Sequence, residues 1–181
     1  SSHTIVEIIT PDMPFLVDSV RICLNRLGIT AHLLLHSPIT LKRNSDKTLD
    51  AFVEATSKAK NVTKETVFLI EVDRQTSKKA LDELADELLS VVGEVSLAVS
   101  DWKPMREKLA SIVKNFDKAP CPASEHDKKQ AKKFLAWIND HNFTLMGYRS
   151  YTVEAIEGDY RWMPDNDGCL GLMKNSISDR K

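Results

Sequence analysis

The sequence predicts an α+β fold: an antiparallel sheet with helices on one face. Three observations predict it. Apolar strand-like runs and helical stripes alternate in the order strand–helix–strand–strand–helix–strand over residues 1–101. A turn signal, Asn44–Lys47, separates two of the extended runs, as in a hairpin. Turn and cap residues bracket both helical stripes.

Ile5, Val6, Ile8 and Ile9 form a nearly continuous apolar run, fitting a central strand. A helix follows. Asp12 is the expected N-cap, and Pro14 is tolerated in a first turn. Leu16, Val20, Cys23, Leu24 and Leu27 make one stripe of a helix, and Gly28 fits the residue that ends it. Ile29–Arg43 reads as a second strand, interrupted or bulged at Pro38. Thr48–Ala55 can return as its hairpin partner, Thr56–Glu65 is polar loop, and Thr66–Arg74 is a third strong strand. Thr76 or Ser77 caps a second helix carrying Leu81, Leu84, Ala85 and Leu88, with Gly93 as its breaker. Val95, Leu97 and Val99 alternate as in a fourth core strand, a helix being the competing reading. The order is the ferredoxin-like βαββαβ pattern, which leaves the second sheet face for a partner subunit, another domain or the following helices.

Beyond it, Pro104 opens a helix with Met105, Leu109, Ile112, Val113 and Phe116 on one face. Asp117–Ser124, with two prolines, reads as a linker. Ser124 and Asp127 resemble a capping box before a helix packing through Ala131, Phe134, Leu135 and Ile138. Phe143–Ile156 and Tyr160–Lys174 read as two strands. The expected division is a first domain at 1–101, a helical connection and linker at 102–123, and the start of a second α+β unit at 124–181. The extended segments near the end suggest a piece of a longer protein.

The 181 residues carry a formal net charge of −1, which gives no global bias toward nucleic acid or an anionic membrane. Cys23, Cys121 and Cys169 are scattered, as expected of a reducing cytoplasm. There is no apolar run of roughly 18 residues and no signal-peptide pattern.

The candidate chemistry is sparse. His32 and His36, four apart on one strand, should share a sheet face at about 13 Å, too far for one zinc ion and better suited to an interface. Glu7, Glu71 and Asp73 lie in strands and are expected on the exposed face, paired with Lys or Arg, rather than in acid–base catalysis. Ser19, Cys23 and Ser37 lack a nucleophile context. Neither glycine-rich phosphate motif occurs, so no catalytic, cofactor or metal residue is assigned. Tyr148 and Tyr151 are not accompanied by an RNA-binding motif.

The stretches "DMPFLVDSV", "EVDRQ", "DWKPMR" and "FLAWINDHNFTLMGYR" resemble the N-terminal region of the large bacterial NAD-specific glutamate dehydrogenases. The likeness covers most of the chain except about residues 44–65 and the linker. It implies an ACT-like first domain and a longer parent enzyme that converts L-glutamate, water and NAD to 2-oxoglutarate, ammonia and NADH, with the catalytic region elsewhere. It also implies a regulatory or assembly role, a homo-oligomer, contact with the remainder of the parent polypeptide and a possible amino-acid effector. A free-standing amino-acid-binding ACT-type module or small metabolic enzyme domain is the alternative. Amino-acid-binding ACT modules carry an Asp-x-Pro-Gly-Leu turn. The matching residues are Asp12, Pro14, Phe15 and Leu16, so this turn is the candidate ligand or interface site. Phe15 stands where the glycine would let a ligand approach the backbone, and its ring should shield that space.

Overall fold

The computed structural model describes residues 2–54, 60–118, 122–156 and 159–175. The chain forms two compact units, residues 1–95 and 96–181.

The first unit runs β1 (His3–Pro11), α1 (Leu16–Arg26), β2 (Ala31–Arg43), β3 (Leu49–Phe52) and β4 (Val62–Asp73), then enters α2 (Lys78–Ser100). Its four strands form one antiparallel sheet in the order β1-β4-β2-β3. The α+β class and the ACT-like character both hold. Burial alternates along β4: Thr66, Phe68, Ile70 and Val72 are sealed, and Val67, Leu69 and Glu71 are half-buried. The sealed side meets the helical stripes, of which Leu16, Val20, Cys23 and Leu24 on α1 and Leu84 and Leu88 on α2 are buried. Arg26 of α1 reaches Glu87 of α2 at 2.5 Å.

Local chemistry explains the boundaries. At the end of α1 the Gly28 amide donates to the Asn25 carbonyl and the Ile29 amide to the Leu24 carbonyl, with Gly28 at φ 68°. This pairing of bonds closes a helix with a left-handed residue, for which glycine carries no Cβ penalty. Ser77 caps α2, its Oγ accepting from the Ala80 amide at 3.1 Å.

Four expectations need correction. Residues Val95–Val99 are helical, inside α2, and Gly93 does not break it. Val95 continues the buried stripe of Leu84 and Leu88, and a mid-helix glycine costs only about 1 kcal/mol relative to alanine. The fourth strand is instead β3, from the segment 48–55, of which residue 55 lies outside the described residues; 56–59 of the expected loop do too, while 62–65 are already β4. Next, β2 runs through Pro38 and bulges at Ala31/Leu33 and Lys42/Arg43. The Thr40 carbonyl accepts from Val53, on the β3 side, so the strand alternation turns the nitrogen of Pro38 to that same side, beyond the pairs with β3, where no ladder bond is lost. Finally, Asp12 does not cap α1. The cap position is Phe15, without a side-chain bond, and the Asp12 amide donates to the Lys64 carbonyl.

The second unit contains the end of α2, α3 (Trp102–Asn115), a short turn Phe116–Lys118, α4 (Glu125–Trp137) with a widened turn Ile138–Asn142, and a hairpin of β5 (Gly147–Ile156) and β6 (Asp159–Gly171). Ser124 caps α4, its Oγ accepting from the Asp127 amide and donating to the Asp127 carboxylate at 2.7 Å. Asp101 ties α3 to β6: its carboxylate accepts from the Gly171 amide at 2.7 Å and from Lys174 at 2.6 Å. Burial raises the pKa of Asp101, but Lys174 and the Gly171 amide outweigh it and hold the carboxyl below its ordinary value. Arg106 donates to the Asn139 carbonyl at 2.6 Å and to His141 at 2.8 Å. The expected packing stripe of α4 is only partly realised. Leu135 and Ile138 are half-buried, whereas Ala131 is exposed and Phe134 is 59% exposed. Cys121 lies outside the described residues; Cys23 and Cys169 are buried free thiols.

Candidate functional site

The turn between β1 and α1 gathers Asp12, Pro14, Phe15 and Leu16 in one segment, but on different terms. Leu16 is a core residue, 1% exposed. Asp12 and Pro14 are exposed. Phe15 is the distinctive one. Its backbone is left-handed, φ 72° and ψ −4°, and its carbonyl accepts from the Ser19 amide to begin the helix. The residue thus adopts the conformation a glycine would supply, and it adds a half-exposed ring. The backbone shape of a glycine turn is kept, with a side chain added to it.

The histidines are not brought together. The bulge between Ala31 and Leu33 shifts the alternation, so His32 and His36 lie on opposite faces, contrary to the same-face expectation. His36 pairs opposite Phe68 on the helix-covered side, with ring centroids 4.9 Å apart. His32 reaches Asp73 at 2.7 Å and lies 4.5 Å from the His3 ring, and His3 is 3.7 Å from Glu71. Asp73 is held below its ordinary pKa mainly by the Thr30 amide, helped by His32. Glu71 and Asp73 do face outward, but their partners are histidines rather than Lys or Arg. His3 was the residue missed: only the register that sets His3 against Asp73 reveals it.

Cys23 is unsuited to nucleophilic work, because burial pushes its thiol pKa up. Among the described residues no group of three or more His, Cys, Asp or Glu could hold a metal ion, and no helix is long and apolar enough to cross a membrane. The turn that opens α1 has Phe15, not glycine, at its left-handed position, unlike the glycine-rich turns that cradle a diphosphate.

The open sheet face, the two helices and the glycine-like turn define an ACT-type module. The family model for the glutamate dehydrogenase ACT1 domain matches residues 1–88. The NAD-specific glutamate dehydrogenase of Pseudomonas aeruginosa is 33% identical over 174 residues, covering 96% of this chain and 11% of that protein. That of Halomonas elongata is 33% identical over 175 residues, again 96% of this chain and 11% of the relative. The chain belongs to the NAD-specific glutamate dehydrogenase family and carries its ACT1 domain; it spans about a tenth of the length of these relatives.

Proposed function

We propose that this chain is a non-catalytic regulatory or assembly stretch of a cytoplasmic, homo-oligomeric NAD-dependent glutamate dehydrogenase. The parent oxidises L-glutamate with NAD and water to 2-oxoglutarate, ammonia and NADH at a site outside these residues. Within that role, assembly is favoured over effector sensing. The carrying observation is Phe15, which keeps the left-handed backbone of the ACT turn but puts an exposed ring at the glycine position, where its bulk would crowd an amino acid. Support for assembly comes from strand edges: among the described residues, β1 pairs on one side only, as does β2 over Ala31–Ile39.

Two measurements on the chain test this. Titration with the common amino acids at millimolar concentration, followed by heat and amide shifts, should give no response. Sedimentation should show concentration-dependent self-association. A saturable amino-acid response would replace assembly with sensing, and glutamate oxidation by the chain itself would overturn the non-catalytic reading.

A further inference from the structure

The β1–β4 and β2–β4 registers set Ile5, Glu7, Ile9, Leu33, Leu35, Val67, Leu69 and Glu71 on the side of the sheet away from the helices. It is an unusually apolar open surface: Ile5 is 49% exposed, Ile9 63%, Leu33 43% and Leu35 52%. It is also acidic. Glu7, Glu71 and Asp73 lie on it, and Glu65 is buried at its margin, where Arg43 takes it up in two bonds of 2.5 Å. His3 and His32 occupy Glu71 and Asp73. Glu7 sits in the middle, opposite Leu69 and between Ile5 and Ile9, with no ion pair or hydrogen bond among the described residues.

We propose that this face is a docking surface for a basic amphipathic helix, one that presents an aliphatic–basic–aliphatic row and sets its cation on Glu7. Charge decides the occupant. A second copy applied face to face would add a second Glu7 carboxylate to the aliphatic surface and bring no cation to either, leaving both desolvated without a partner. A helix bearing lysine or arginine meets the aliphatic rows and neutralises Glu7. Spacing agrees. Successive same-face residues of β1 are about 7 Å apart, and residues i and i+4 of a helix about 6 Å apart along its axis. A leucine–lysine–leucine row at i, i+4 and i+8 therefore follows Ile5, Glu7 and Ile9. This deepens the assembly reading and rests on it only for biological purpose; the surface chemistry stands alone.

The test uses the full chain and a fluorescent Leu/Lys amphipathic peptide of about four to five helical turns, with a Leu/Glu peptide of the same pattern as control. Anisotropy at physiological salt should show the Leu/Lys peptide bound at least about tenfold more tightly than the control. Glu7→Gln should lose about tenfold of that preference, and Leu35→Ser, which removes exposed floor without touching charge, should weaken binding comparably. Both positions are exposed, and circular dichroism confirms that the variants fold. Equal binding of the two peptides, or indifference to both substitutions, overturns the proposal. So does a sedimentation result in which the wild-type chain self-associates and Leu35→Ser abolishes it, since a second copy then occupies the face. An amino-acid response in the titrations above would defeat the assembly reading and leave this result unaffected.

Discussion

Phe15 offers a direct test of the backbone geometry at the ACT turn. Its φ of 72° places an L-residue with a Cβ in the left-handed region, at a cost of roughly 1–2 kcal/mol. Glycine removes that strain but makes the unfolded chain freer, which costs about 0.5–1 kcal/mol. Comparing Phe15→Gly with wild type would mix these effects with loss of the ring. The cleaner pair is Phe15→Ala against Phe15→Gly, since both lack the ring and differ only in Cβ. The glycine variant should be the more stable by about 0.5–1 kcal/mol, the reverse of the usual ranking in regular structure. Urea unfolding followed by circular dichroism, with the slopes held equal, measures the difference. A glycine variant no more stable than the alanine variant would refute a left-handed residue 15. The same glycine variant bears on occlusion: amino-acid binding gained by Phe15→Gly and absent from wild type would show that the ring closes the site.

Acid stability should depend on Glu65. The Arg43 guanidinium holds its carboxyl below the ordinary value, so the pair stabilises the fold above the usual glutamate range and that contribution is lost as pH falls through the lowered pKa. Arg43→Gln should flatten the loss of stability below about pH 4.5 and lower stability at neutral pH by removing two charge-assisted bonds, both read from urea midpoints across pH. Gly171→Ala should disrupt the end of the β5–β6 hairpin, because its Cβ would clash with the Met146 carbonyl oxygen; Gly28→Ala, with φ 68° but nothing within 4 Å, should cost only the left-handed penalty of about 1 kcal/mol. Hydrogen exchange at the hairpin amides and thermal melting separate the two. Ser124→Ala should cost about 1 kcal/mol by removing the α4 cap, with faster exchange confined to the first turn of that helix.

The parts of the fold written as local patterns were legible. The stripe Leu16, Val20, Cys23, Leu24 is buried, Gly28 ends α1, Ser77 and Ser124 cap their helices, and the apolar runs became β1, β2 and β4. Each depends on a period or on a bond within one turn. Val95–Val99 was misleading because three β-branched or leucine residues at period two also fit a helical stripe once Leu84 and Leu88 extend it. Asp12 looked like a cap because of its residue type, yet its amide is used by β4, a strand more than fifty residues later in the chain.

The candidate site divides in the same way. The sequence by itself determined the family, the α+β class and the substitution of Phe15 for the glycine of the turn, since all three are read from residue identity and order. Only the tertiary structure decided that Phe15 keeps the glycine's backbone, that one bulge sends His32 and His36 to opposite faces, that His3 joins His32, and that Glu7 lies in an apolar sheet face without a partner among the described residues. The reason is register. Which residues meet across strands depends on pairing between distant segments, and a single inserted residue in one strand exchanges the faces on either side of it.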